Sequence, residues 1–179
     1  RLKDGRSERK IRRPKESVKG AGRVLHTISP VYDENSRILI LGSFPSVKSR
    51  EAGFFYGHPQ NRFWRVLAAL YREDVPCTTE EKRAFLLSHG IALYDVIESC
   101  EIRGSADASI SAVVPADLSE ILAAGRVKGI YVNGKTAENY YRKYQEKITG
   151  KAAIPLPSTS PANAAYSLEK LILAWKIIL

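Results

Sequence analysis

The sequence predicts an α/β fold, a three-layer α/β/α sandwich around a central, mostly parallel four-stranded sheet. Two observations carry this prediction: four short apolar runs recur along the chain, and the segments between them show helical rather than alternating spacing. The first run, Arg37-Ile38-Leu39-Ile40-Leu41-Gly42-Ser43, is continuously apolar and stops at a glycine, as a strand buried on both faces does. The others span 91–97, 127–133 and 152–156. Helices are predicted over 61–71, 79–88, 117–124, 135–147 and 167–179. Thr78 with Glu81 fits a capping box at the second helix, and Asp117 with Glu120 resembles one at the third. Alternating strands and helices make a parallel sheet with helices on both faces. Such sheets hold ligands at the carboxyl ends of their strands, which places the functional loops at 43–60, 98–111, 133–135 and 157–163.

At 179 residues, 44% of them apolar, the chain has one domain's worth of sequence and can build a core without metals or disulfides. No run approaches the roughly 20 apolar residues of a membrane span, and the N-terminus lacks the apolar core of a signal peptide. A cytoplasmic location without membrane association is expected. Cys77 and Cys100 stand apart with no C-x-x-C spacing, so neither a disulfide framework nor a zinc site is indicated. The net charge of +9 is unevenly spread: residues 1–23 hold ten Lys/Arg against three acids, leaving +2 for a domain over 24–179. That basic tail, with Pro14, Gly20 and Gly22 and no apolar periodicity, is expected to be disordered when free. It suits sequence-independent phosphate binding and equally a solubilising extension.

The loop after the first strand reads Gly42-Ser43-Phe44-Pro45-Ser46, then Phe54-Phe55-Tyr56-Gly57-His58-Pro59-Gln60-Asn61-Arg62-Phe63-Trp64. This order resembles the mismatch-specific uracil-DNA glycosylases, where a strand ends in a G-x-N-P-G turn and an aromatic precedes H-P-x-N-R-F-W at a helix start. Leu156-Pro157-Ser158-Thr159-Ser160-Pro161-Ala162-Asn163 resembles the second motif of the uracil-DNA glycosylase superfamily, a loop that presses into the minor groove. Together the GSFPS and PSTSPAN variants are most similar to the hypoxanthine (deoxyinosine) branch. The resemblance runs from about Val24 to the end of the chain, specific in two loops and topological elsewhere.

One departure matters more than the matches. Phe44 stands where many superfamily members place the Asn or Asp that holds the attacking water, and a phenylalanine cannot orient water. The resemblance to the hypoxanthine branch implies that Asn61 carries the catalytic burden. An Asn before an amphipathic run is also an ordinary N-cap, and the two roles are compatible. Tyr56 matches the stacking aromatic, and Phe44 is grouped with it as base-binding. Asp95 falls at the base-reading position, where a carboxylate would accept N1–H of hypoxanthine; as a strand-end acid it equally suits an ion pair. Ser158 is placed to donate to the departing base. Ser43, Ser46, Lys48, Lys135, Ser160, Pro161 and Asn163 are expected along the DNA, with Asn163 filling the space left by an extruded base. Arg50 is a further candidate phosphate contact. His58-Pro59 reads as a loop anchor, Phe63 and Trp64 as core, and Arg62 as a solvated or phosphate-facing charge.

Cleaving an N-glycosidic bond passes through an oxocarbenium-like state. The protein mainly extrudes the nucleotide, stabilises the departing base and positions water, so no metal or other cofactor is expected. No lysine is placed for Schiff-base chemistry. The resulting expectation is a monomeric, monofunctional glycosylase that acts on DNA containing deaminated bases: hypoxanthine, with uracil or xanthine as further substrates. The alternatives are a mismatch-specific uracil-DNA glycosylase and a non-catalytic lesion-binding module, which would bind DNA and release no base.

Overall fold

A computed structural model describes residues 22–179. The expected basic tail lies outside the described residues except for Gly22 and Arg23, and Arg23 already belongs to the first strand. In chain order the elements are β1 (Arg23–Leu25), β2 (Ile38–Gly42), α1 (Val47–Ala52), α2 (Phe63–Tyr71), α3 (Thr79–Ser88), β3 (Ile91–Asp95) and β4 (Ile97–Glu101). There follow β5 (Ser111–Pro115), α4 (Ser119–Ala124), β6 (Gly129–Asn133), α5 (Lys135–Tyr144), α6 (Glu146–Thr149), β7 (Ala153–Leu156) and α7 (Leu168–Trp175).

The four predicted strands form one parallel sheet in the order β3-β2-β6-β7, with Ile40 opposite both Leu93 and Tyr131. Side chains alternate between its faces. Ile40, Leu93 and Tyr131 point into a core built with Phe63, Trp64, Val66 and Leu67 of α2, Phe85 and Leu86 of α3, and Leu171 and Trp175 of α7. Leu39, Leu41, Ala92, Tyr94, Ile130 and Val132 point the other way, against Ile121 of α4 and Ala137 and Tyr141 of α5. Helices thus cover both faces, which is why these strands read as continuous rather than alternating apolar runs. No helix among the described residues is long and apolar enough to cross a membrane.

A second sheet, antiparallel and ordered β1-β4-β5, was not foreseen. It divides the predicted strand 91–97: β3 stops at Asp95, Val96 donates its amide to the Gly42 carbonyl at 2.8 Å, and Ile97 opens β4 in the other sheet. The run looked like one strand because Val96 and Ile97 are as buried as the residues before them. Part of the expected loop 98–111 is therefore strand. The loop after β2 likewise contains α1, which Ser46 caps by accepting the Ser49 amide and Gly53 ends at φ 71°.

The Thr78–Glu81 capping box is present in both directions. The Asp117–Glu120 box is not: Asp117 accepts the Ser119 amide at 2.9 Å, only two residues on, and Leu118 occupies the N-cap. The helix expected over 135–147 breaks at Gln145 because that residue serves the core. Its buried Nε2 donates to the carbonyls of Val96 at 3.1 Å and Ala116 at 2.8 Å, tying α5 to one end of the β4–β5 pair, where Ile97 lies opposite Pro115. Gln145→Leu would strand the Ala116 carbonyl, while the Val96 carbonyl keeps the Ala116 amide at 2.8 Å. With roughly 1 to 3 kcal/mol lost for a buried unpaired group, a lower urea midpoint at unchanged m is expected, equivalent to about 1 to 3 kcal/mol.

Candidate active site

Gly42, Asp95, Asn133 and Leu156 end the four parallel strands, and Gly42 lies directly beside Asp95 in the ladder. Gly42, Asp95 and Asn133, with the loops that follow the strands, enclose a cleft of about 420 Å³. Ser43, Phe44, Ser46, Tyr56, Asn61, Asp95, Ser158, Ser160 and Pro161 all line it, although they come from four separate stretches of chain. Lys135 and Asn163 line an adjoining groove on the other side of the 157–163 loop, which Ser158 and Ser160 share. Lys48 lines neither; it is exposed on α1 and pairs with Glu51 at 3.7 Å.

The floor of the cleft is packed around Gly42. A Cβ there would stand 2.4 Å from Asp95 Oδ1 and 2.8 Å from the Tyr56 hydroxyl, so only hydrogen fits. Asp95 Oδ2 lies 2.8 Å from Nε2 of His26, and the two side chains are 5% and 0% exposed. His26 comes from the short segment after β1 and gave no signal in the sequence beyond being a histidine.

Tyr56 adopts a left-handed backbone (φ 52°) that a residue with a side chain enters at a cost of about 1 to 3 kcal/mol. Two contacts hold it there. Its ring stacks on Phe63 at 4.0 Å between centroids, and Asn133 Nδ2 donates to its hydroxyl at 3.1 Å. Burial, and then the charge of Asp95, push the phenol far above its ordinary value, so it remains protonated. Phe63 covers one face of the ring.

Asn61 lies two residues before α2, which starts at Phe63 rather than at the predicted residue 61. Its Oδ1 accepts the Phe63 amide at 2.9 Å, which fixes which end of the amide is oxygen, and Nδ2 has no partner among the described residues. Arg62 and not Asn61 occupies the N-cap position, so Asn61 closes a turn before the helix instead of capping it. His58 anchors the same turn: its carbonyl accepts the Asn61 amide at 3.0 Å and its Nδ1 the Gln60 amide at 3.1 Å.

The loop 157–163 is held from behind. Trp175 Nε1 donates to the Pro157 carbonyl at 3.0 Å, Asn133 exchanges hydrogen bonds with buried Thr159, and Asn163 Nδ2 closes back on the Ser158 carbonyl at 3.0 Å. Arg62 corrects the expectation of a solvated or phosphate-facing charge. Its guanidinium donates to the carbonyls of Ser160 at 2.8 Å and Asn163 at 3.1 Å, and also to those of Thr159 and Tyr166. Those bonds satisfy a loop backbone that has no strand or helix partner. Arg50 is likewise half-buried, donating to the Gly104 carbonyl at 3.0 Å with its guanidinium 5.9 Å from the Phe44 ring.

Asn133, Thr159 and Asp107 were not singled out from the sequence. Asn133 carried a usable signal, being a polar residue at the end of an apolar strand run. Asp107 lies at the cleft mouth as an exposed residue. Desolvation raises its carboxyl pKa, opposed by the hydroxyls of Thr136 and Ser43, and the charge of Asp95 adds to the rise. Among the described residues no group of three or more His, Cys, Asp or Glu is placed to hold a metal ion.

Residues 29–178 match the family model of the uracil DNA glycosylase superfamily. A protein of Methanosarcina acetivorans named hypoxanthine DNA glycosylase is 34% identical over 147 residues, covering 78% of this chain and 89% of that protein. One of the same name from Methanosarcina barkeri is 35% identical over 113 residues, 62% of this chain and 72% of that protein. The solution NMR structure of a Methanosarcina acetivorans protein described as a candidate uracil DNA glycosylase matches with a TM-score of 0.70 at 30% identity, covering 84% of this chain and 96% of that one.

Removing the Arg62 clamp should free the loop it holds while leaving the sheet in place. In Arg62→Ala, charge-assisted bonds worth roughly 1.5 to 3 kcal/mol are lost, so amide exchange at Thr159 and Asn163 is expected to rise by about ten- to a hundredfold, with β2 amides unchanged, read by hydrogen-exchange NMR.

Proposed function

The chain belongs to the uracil DNA glycosylase superfamily and is a DNA glycosylase, a hydrolase of N-glycosyl bonds, and we propose that its substrate is hypoxanthine in deaminated DNA. The observation that carries this reading is the floor of the cleft. A buried carboxylate, Asp95, sits beside a protonated phenol, Tyr56, under a glycine that leaves room for both. An acceptor at that depth suits the N1–H of hypoxanthine, whereas adenine would turn a lone pair toward it. The names of the Methanosarcina relatives support the same substrate.

The reaction needs little acid–base apparatus. The nucleotide is extruded from the stack into the cleft, at a cost of a few kcal/mol that stacking on an aromatic ring offsets by roughly 1 to 3 kcal/mol. Tyr56 and Phe44 supply the aromatic wall. Phe44 cannot hold water, so the nucleophilic water is held by Asn61, whose Nδ2 is free while its Oδ1 is tied to the Phe63 amide. As the C1′–N9 bond breaks, the sugar becomes oxocarbenium-like and the base leaves with the bonding electrons. Water adds to C1′ and gives up a proton, and the departing base ends protonated. The Ser158 hydroxyl, on the opposite wall of the cleft, donates to the base as charge builds on it. Ser43, Ser46, Ser160 and Pro161 face the duplex around the mouth, Lys135 and Asn163 along the adjoining groove and Lys48 from the exposed side of α1, and the protein acts as a monomer.

Uracil offers the same kind of N–H through N3, which keeps a uracil-releasing activity as the second reading. Both are tested by incubating the protein, without metal, with duplexes carrying one deoxyinosine, deoxyuridine or deoxyxanthosine, and cleaving abasic sites with alkali. Deoxyinosine is expected to react fastest, and Asn61→Ala to lower kcat on it by about a hundredfold or more with little change in KM. A faster rate on deoxyuridine would favour the second reading, and an Asn61→Ala variant as fast as the parent would remove Asn61 from the mechanism.

A further inference from the structure

We propose that His26 is the positioning residue that fixes Asp95 as a permanent acceptor in the cleft, and so restricts the cleft to bases that present a ring N–H. The inference deepens the proposed function and rests on Asp95 as the group that faces the base.

The two nitrogens of His26 have separate partners. Nδ1 lies 3.3 Å from the amide nitrogen of Ile28, which can only donate, so Nδ1 carries a lone pair. The ring proton of the neutral imidazole is therefore on Nε2, which donates to Asp95 Oδ2 at 2.8 Å. A proton on Oδ2 would set O–H against N–H, so this contact keeps Oδ2 an acceptor, and an N–H donor is bound more strongly by a carboxylate than by a neutral acid. Oδ1, the oxygen against Gly42, is left as an acceptor. A buried carboxylate without such a donor would be costly, and this bond offsets part of that cost.

His26 has little freedom to turn away. Its ring is enclosed by those of Tyr94 at 4.6 Å, Phe44 at 5.9 Å and Phe55 at 6.0 Å between centroids. Its backbone amide donates to the Glu98 carbonyl at 2.8 Å, extending the β1–β4 pairing. The antiparallel sheet therefore has a task at the site: it carries the histidine beneath the carboxylate that ends the neighbouring parallel strand. Phe44, unable to bind water, closes one side of this enclosure.

An acceptor of fixed protonation state selects by repulsion as much as by attraction. Hypoxanthine and xanthine at N1, and uracil at N3, bring an N–H to Oδ1. Adenine at N1 and cytosine at N3 bring a lone pair. Guanine and thymine share the donor, so their 2-amino and 5-methyl groups have to be refused by other walls of the cleft.

The test combines a spectroscopic and a kinetic arm on the full chain. Ring ¹⁵N shifts of His26 in the wild-type protein are expected to show the Nε2–H tautomer; an Nδ1–H tautomer overturns the proposal whether or not the protein is active. On a duplex with one deoxyinosine, His26→Leu is expected to lower kcat/KM by about a hundredfold, the scale of loss when a reacting group is misplaced. His26→Gln, whose amide can reach Oδ2, should recover to within about tenfold of wild type at an equal urea midpoint. If His26→Leu does not fold, His26→Asn, too short to reach Oδ2, replaces it with the same expected loss. Equal impairment of the Gln and the apolar or shortened variants, or no impairment of either, overturns the assignment. Failure of the glycosylase reading looks different: the wild-type protein itself would leave every duplex intact, which also removes Asp95 as a base reader.

Discussion

A buried negative charge at the end of β3 sets the terms for its surroundings. Asp95 is held there by His26, whose Nε2 lies 2.8 Å from one carboxylate oxygen, and its other oxygen fits because residue 42 of the neighbouring strand has no side chain. The same charge helps keep Tyr56 protonated. Tyr56 in turn receives a hydrogen bond from Asn133, whose remaining bonds hold Thr159 and through it the 157–163 loop. From β3 the dependence thus runs through β2, the Tyr56 turn and β6 to the loop after β7, so the four strand ends form one connected polar floor.

The segment from His58 to Trp64 supplies the second support, and nearly every letter of it has a physical task. His58 closes the turn, Asn61 Oδ1 accepts the Phe63 amide just ahead of the helix, and Arg62 gathers loop carbonyls from across the fold. Phe63 stacks under Tyr56, and Trp64 Nε1 donates to the Phe55 carbonyl at 3.1 Å, fixing the stretch just before Tyr56. One short segment therefore sets the positions of the Tyr56 ring, the Asn61 amide and the 157–163 loop. A motif so dense in backbone-directed side chains leaves little room for substitution.

The parallel sheet was legible because strands buried on both faces leave long apolar runs, and α3 was legible to the residue because its capping box is written in side chains. The antiparallel sheet was not. β1 has three residues and β4 mixes buried and exposed positions over five, too short for a period to stand out, and the step from β3 to β4 crosses residues that are equally buried. Within the cleft, Asp95, Tyr56 and Asn61 could be found from polar or aromatic residues at strand ends and motif positions. His26 could not, since its role depends on a pairing between elements 69 residues apart. Arg62 was visible but misread, because nothing local distinguishes a guanidinium that serves phosphates from one that serves carbonyls.

The central claim is that an ionised acceptor on the cleft floor recognises a base through its ring N–H. Its most direct test is single-turnover base release by the wild-type protein from two otherwise identical duplexes, one carrying deoxyinosine and one deoxynebularine, whose purine has neither N1–H nor O6. Loss of a donor opposite a buried charged acceptor should slow deoxynebularine by about a thousandfold or more. Release of both bases at similar rates would contradict the account.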